Sequence, residues 1–433
     1  MLKNENNYLQ SLENRTFQEA IFSNLTTANF LEQANKEKAV SSNSAAFSFS
    51  GSLPISTEES TEQINKRIEE IKQYVGKDNI KVNNNDLSVG TIIKRAAMMK
   101  DINYKSLTPS DIALVDCGLN CILDLTRGSL TNQHLLFSKK DWNQIKALLS
   151  TSPTNNDLIE SRPALRKIDK IFKNPRDTEE CYWNSKNYQR KASKFNEKTG
   201  YELISVIVDK MIKHSSIFTL SKPTPSEADV MIKIWADLFE VLFYNTEIYI
   251  RWGEKGLNTD AKLVLLYDGT EYPISSVEFA PYVGPKKIKT DRSKLLVEAK
   301  TIYDKVMGLN VNEGNAALLK IVNIQIMGLE AHVMSVNIVD DHLYIASSIE
   351  SYMLPSTVSQ LKEHSKTIIG HLFDLKHYTL NTTDIIKQTL NDKKKTKKSM
   401  KRKIQEEIDY DEVAPSLKAK LVPTWRYKAK SKK

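Results

Sequence analysis

The chain has 433 residues, 40% hydrophobic and 27% charged, with three cysteines. That length predicts more than one folded unit, and three cysteines exclude a disulfide framework. No run approaches about 18 consecutive apolar residues and MLKNENNYLQSLENRTF lacks an apolar centre, so neither a spanning helix nor a secretory signal is expected.

The formal net charge of +9 is localised. From Lys393 to Lys433 there are 15 Lys or Arg and 5 Asp or Glu, a net of +10, which leaves −1 for the other 392 residues. Affinity for polyanions is therefore expected of the C-terminal arm and not of the near-neutral body.

Residues 1–60 contain weak helical pieces and then a Ser-rich stretch, SSNSAAFSFSGSLPISTEES, the composition of a disordered arm. Residues 61–150 read as a small helical unit. A first helix carries Ile64, Ile68 and Ile71 on one stripe and ends at Gly76. Further helices are expected in VGTIIKRAAMMK, in LTPSDIALVDCGLNCILDL with Ser110 as cap, and in FSKKDWNQIKALL. Cys117 and Cys121 stand four apart on an apolar face and lack the second pair a zinc site needs, so they read as buried thiols, as does Cys181.

Residues 151–200 form a basic-aromatic connector, with Tyr182, Trp183 and Tyr188 interleaved among cations. It reads first as a solvated helical linker and second as a surface on which bases stack.

From 201 to about 390 the pattern becomes mixed α/β. A helix in YELISVIVDKMIKH precedes one opened by Ser226 in SEADVMIKIWADLFEVLFY. Strand-like runs follow in TEIYIRWGE, AKLVLLYDG and EYPISSVEFAP, the last two joined by the hairpin dipeptide Asp268–Gly269. A helix near Asp291, β-branched runs over 320–353 and a helix over 355–380 complete the body. The seven histidines are scattered, and His371 and His377 lack metal spacing, so no histidine ligand is expected.

Three carboxylates fall at defined places in this order: Glu227 on the first turn of a helix, Asp260 at the start of a strand, and Glu278, 18 residues on, in the next strand. With those positions, the segment 224–380 resembles the PD-(D/E)XK, or restriction-endonuclease-like, nucleases, and more narrowly a lineage-expanded set of fungal proteins with that core. The resemblance implies a sheet core flanked by helices and preceded by the small helical unit. It also implies a Mg²⁺ (or Mn²⁺) ion held by Glu227, Asp260 and Glu278, with phosphodiester hydrolysis as the reaction. A hard cation of this kind takes oxygen ligands and stabilises charge on the scissile phosphate. Each carboxylate also has a structural explanation: the helix dipole for Glu227, a turn cap for Asp260, and pairing with a lysine for Glu278.

One departure stands out. Ala280 occupies the place two after Glu278 where the resemblance implies a lysine. Lys262, two after Asp260, is the first substitute, making Asp260, Glu278 and Lys262 the expected catalytic set. Lys294 or Lys300 on the following helix, and Lys286, Lys287 and Lys289 in the loop before it, are the others.

The run Lys393, Lys394, Lys395, Lys397, Lys398, Lys401, Arg402 and Lys403 reads as a nuclear-localisation signal or a phosphate-binding arm within a tail over 391–433. Trp425 and Tyr427 add stacking surface further on. The expectation is a nuclear protein partnered by nucleic acid, DNA ahead of RNA, and by an import receptor, with neither membrane nor small-molecule cofactor. Ala280 keeps an alternative open: a non-catalytic nuclear nucleic-acid-binding or scaffold protein on a decayed nuclease fold.

Overall fold

A computed structural model describes residues 61–403, apart from 83–85, 103–106, 128–130, 150–164, 166, 174–176, 220–223, 254–258 and 283–284. The expected arm over 1–60 and the tail beyond 403, with Trp425 and Tyr427, lie outside the described residues.

The chain opens with helices α1 (Thr61–Gln73), α2 (Val89–Asp101) and α3 (Pro109–Leu119). Ile71 is buried and Ile64 and Ile68 are half-buried, as the stripe requires. The cap of α3 is Thr108, which closes a reciprocal box with Asp111, and not Ser110. Pro109 explains the shift, because its missing N–H and fixed φ suit the first helical position.

Residues 61–150 do not form a separate helical unit. Cys121 turns to φ 53° and ends the helical run, and β1 (Ile122–Asp124) then pairs in parallel with the last strand, Ile122 beside Tyr344 and Asp124 beside Ala346. The apolar ILDL run, read as a helix end, is a short buried edge strand. The helix α4 (Lys139–Leu149) follows it.

The connector is half folded into the body. Asp177 caps α5 (Thr178–Lys191), which buries Cys181 and Ser185 against α6 (Phe195–Lys213). Tyr188 packs 5.7 Å from the ring of Tyr201, whereas Trp183 stays 61% exposed. All three cysteines are buried free thiols, as expected.

Helix α7 starts at Glu227 with Ser226 and Asp229 in a capping box; a π-turn at Met231–Trp235 separates Glu227–Val230 from Ala236–Phe243. Strands β2 (Ile248–Trp252), β3 (Ala261–Tyr267) and β4 (Thr270–Ala280) form an antiparallel meander. Asp268 and Gly269 both have positive φ (51° and 70°), the conformation a two-residue primed turn demands. Helix α8 (Pro285–Met307) crosses over to β5 (Ile321–Met327), which is parallel to β4; β6 (Glu330–Asp340) and β7 (Leu343–Met353) return antiparallel. The result is one seven-stranded mixed sheet, ordered β1-β7-β6-β5-β4-β3-β2. Helix α8 covers one face; α7 and α9 (Val358–Lys403) cover the other.

Alternation assigns the faces. Ser276, Glu278 and Ala280 share the α8 side of β4 with Gln325 of β5 and His332 of β6, their register neighbours. Val277 and Phe279 point oppositely into the apolar layer, where Phe279 lies 6.3 Å from Trp252 and Trp235 donates its indole N–H to the Gly328 carbonyl at 2.8 Å.

The last helix does not stop near 380. It runs unbroken to Lys403, through the boundary at 391 where a tail was expected, because residues 381–403 hold neither proline nor glycine. Lys387 pairs with Glu247 at 2.5 Å, and Lys394 pairs with Asp268 while its ammonium lies 5.2 Å from the Tyr267 ring centroid.

Candidate active site

Asp260 lies one residue before β3, and its Oδ2 accepts the backbone N–H of Phe279 at 2.7 Å. That bond ties it across the meander beside Glu278, whose side chain is only 4% exposed. Two acidic residues 18 apart in sequence are thereby neighbours, as the hairpin geometry requires. Glu227 joins them from the first turn of α7, where Asp260 feels its charge.

The cations come from α8. Lys294 Nζ lies 2.5 Å from Glu278 Oε1. Lys287 pairs with Glu227 and stands 3.9 Å from Asp291. Lys287, Asp291 and Lys294 are spaced by four and three residues, so they present one face of the helix to the end of β4. The helix begins at Pro285, six residues earlier than the sequence suggested, so Lys287 and Lys289 are helical and not in a loop.

The other lysines are occupied elsewhere. Lys289 donates to Ser110 Oγ at 2.6 Å, and Lys300 is fully buried with Asp304 at 2.7 Å. Lys262, first choice from the sequence, is buried on β3 opposite Ser276 and Arg251, while Lys294 holds the contact with Glu278. Ala280 is buried with its carbonyl accepting from Gly328 N at 2.8 Å.

Electrostatics follow from this crowding. Burial pushes the Glu278 carboxyl up to about 8, with Lys294 acting against that rise and Asp260 adding to it. Burial likewise raises Asp291 to about 6 and raises Asp260, where Glu227 adds to the effect and the Phe279 N–H opposes it. Burial pulls Lys287 down, but Glu227, Asp291 and Asp260 outweigh it and hold the ammonium above its usual value. Asp260, Glu278 and Asp291 each have their proton affinity raised further by a neighbouring acid, and with Glu227 they form an oxygen-only donor set, which fits a hard divalent cation.

The site floor is polar and fixed. Gln325 accepts from Arg292 Nε at 3.3 Å and donates to the Ile288 carbonyl at 3.0 Å; Asn323 accepts from Ser276 N at 3.0 Å and donates to the Leu295 carbonyl at 2.5 Å. These amides lock α8 in register on β4 and β5, so the reach of Lys294 is set by two strands. Asp291 is the member that sequence reasoning passed over; its signal was the alternating charge Lys287–Asp291–Lys294.

In the basic run, Lys394 is engaged by Asp268 and Lys395 lies 3.4 Å from Asp392, while the side chains of Lys397, Lys398, Lys401, Arg402 and Lys403 lie outside the described residues. Among the described residues, no helix is long and apolar enough to cross a membrane. Comparison with known proteins finds no family model, no curated protein and no solved structure that matches this chain.

Proposed function

We propose that the chain is a divalent-metal-dependent nuclease of the PD-(D/E)XK, restriction-endonuclease-like type, acting on nucleic acid, with DNA the favoured substrate. The observation that carries the reading is the meeting of Asp260, Glu278 and Lys294 where β4 runs parallel to β5. The order α7, antiparallel meander, α8, parallel strand supports it.

Asp260 and Glu278 would hold the ion, with Glu227 and Asp291 close enough to contribute, and Mg²⁺ or Mn²⁺ when bound would supply charge stabilisation at the phosphate and a more acidic water. The chain's own residues do the rest. The Phe279 N–H fixes the Asp260 carboxylate. Were Glu278 engaged by the cation, Lys294 would be free to offer its ammonium to the attacking water or a phosphate oxygen, the task the resemblance gives to a lysine at the place of Ala280. Lys287 adds positive charge beside the same acids. The basic run at the end of α9 would supply sequence-independent phosphate contacts, nuclear address and import-receptor binding.

Cleavage of single- and double-stranded DNA and RNA with Mg²⁺ or Mn²⁺ tests this directly. Activity lost with EDTA and in Asp260→Asn supports it; no cleavage of any of the four substrates sinks it. The second reading, a non-catalytic nuclear nucleic-acid-binding or scaffold protein, is favoured by one feature: both site lysines are already paired with carboxylates. It predicts salt-sensitive binding without cleavage.

A further inference from the structure

On the opposite side of the sheet from Glu278, β7 and α9 bring together a second cluster. Ser351 pairs with His332 on the α8 side, so its neighbour Glu350 points the other way, beneath α9. His371 and Asp374, three apart on α9, lie on one helical face above it. One donor atom from each of Glu350, His371 and Asp374 falls within 4.8 Å of the others. Glu350 Oε2 pairs with His371 Nδ1, and the Glu350 side chain is 7% exposed.

Other oxygens here are unsatisfied. Glu350 Oε1 and Asp374 Oδ1 are both buried without a hydrogen-bond partner, and so is the hydroxyl of Tyr352, a residue 4% exposed. The Tyr352 ring stacks on the His371 imidazole at 5.6 Å and 12°, which fixes the plane of that ring. Buried oxygens almost always find a donor, a water or an ion, and two unpartnered carboxylate oxygens belong to residues that cluster with a histidine. Two carboxylate oxygens and one imidazole nitrogen suit a borderline ion such as Zn²⁺ better than Mg²⁺, which prefers oxygen alone. A tetrahedral site with bonds of about 2.1 Å spaces its ligands by about 3.4 Å, so the three donors need close in only slightly.

We propose that Glu350, His371 and Asp374 form a zinc-class divalent cation site that clamps α9 to β7, separate from the Asp260–Glu278 site and on the other face of the sheet. Its three protein ligands leave a fourth position to water. The helix it fixes is the one that continues into the basic run at Lys393.

The test uses the full chain carrying Asp260→Asn and Glu278→Gln, so that the first site is disabled and the second untouched. After EDTA dialysis, Zn²⁺ alone should bind at about one ion per chain and raise Tm by about 3–5 °C at a hundredfold excess over Kd. Co²⁺ in its place should give visible absorption bands of low-symmetry coordination. Adding His371→Gln should abolish the bands and the Tm gain, and Asp374→Asn, at a less buried ligand, should weaken Zn²⁺ at least tenfold with the circular dichroism unchanged. No stoichiometric Zn²⁺ uptake by the Asp260→Asn, Glu278→Gln protein would overturn the proposal, leaving a proton or a water shared by the carboxylates. So would a Co²⁺ spectrum indifferent to both His371→Gln and Asp374→Asn.

Discussion

Metal uptake at the Asp260–Glu278 site should be steeply pH-dependent, and Glu278 sets the slope. Its carboxyl rises from an ordinary 4.5 to about 8 because it is buried. Between those values the folded chain keeps a proton that the unfolded chain has lost, so this group's contribution to stability falls as pH rises through the window. A cation that needs the ionised carboxylate must expel that proton. The fraction already ionised is about one in a hundred at pH 6 and about one half at pH 8, so apparent affinity should climb about 50-fold between them. Asp291, raised to about 6, adds about a further factor of two at the acid end. The assay is calorimetric titration of Mn²⁺ into protein carrying His371→Gln, which silences the cluster on the other face, at both pH values and in two buffers of different ionisation heat. About one proton should be released per ion at pH 6–7. Glu278→Gln should bind more weakly and lose most of the slope. Equal wild-type affinity at pH 6 and 8, or the full slope surviving in Glu278→Gln, would refute the linkage.

Cleavage assays should separate the lysines. Lys294→Ala is expected to cost about a hundredfold or more in kcat, Lys262→Met about tenfold or less, and Ala280→Lys placed in the Lys294→Ala chain should recover part of the loss. Replacing Lys397, Lys398, Lys401, Arg402 and Lys403 by Gln, with Lys394 left on Asp268, should release a fluorescent fusion from the nucleus. It should also flatten the fall in nucleic-acid affinity between about 50 and 200 mM salt. Unchanged accumulation and an unchanged salt slope would remove the role assigned to that run. Ser226→Ala should destabilise by about 1 kcal/mol in thermal unfolding, since its Oγ satisfies the first turn of α7, and should lower cleavage by loosening Glu227. The thiols of Cys117, Cys121 and Cys181 should resist a thiol reagent until the chain unfolds.

What the sequence disclosed is what local physics dictates. The Asp268–Gly269 turn, the Ser226 cap and the alternation of β4 are each written in a few contiguous residues, and they suffice to place Glu227, Asp260 and Glu278. The Thr108 cap was missed because Ser110 is an equally good cap by type, and only Pro109 beside it decides. β1 was missed because a three-residue apolar strand after an apolar helix has no period of its own; its partner at Tyr344–Ala346 is more than 200 residues away. The cluster at Glu350, His371 and Asp374 shows only a His–x–x–Asp step on the helix, since its third member comes from a strand 21 residues earlier. The start of α8 at Pro285 was legible in principle, because proline suits a first turn, and with it the charge stripe Lys287–Asp291–Lys294.

On the nuclease reading, α8 accounts for alanine at position 280. A lysine on β4 would rise from the strand beside Glu278 and share its rigidity. Position 280 instead carries a methyl group, buried beside the turn at Gly328. Lys294 reaches Glu278 from the helix above, and α8 is held to the sheet by side-chain amides from Asn323 and Gln325. The ammonium therefore sits at the end of a long side chain on a helix whose register is set through the β5 amides as well as the strand that carries the acid. On the nuclease reading such a site does without a strand lysine but has another dependence: Asn323→Ala or Gln325→Ala, whose amides bond to α8, β4 and Arg292, should reduce cleavage by loosening the approach of Lys294. The same changes should leave Mn²⁺ affinity nearly intact, because Asp260 and Glu278 are positioned by the β3–β4 ladder and the Phe279 N–H. A parallel loss of metal affinity and cleavage in those variants would mean that α8 shapes the acids as well as the base, and the separation of roles argued from the two tethers would fail.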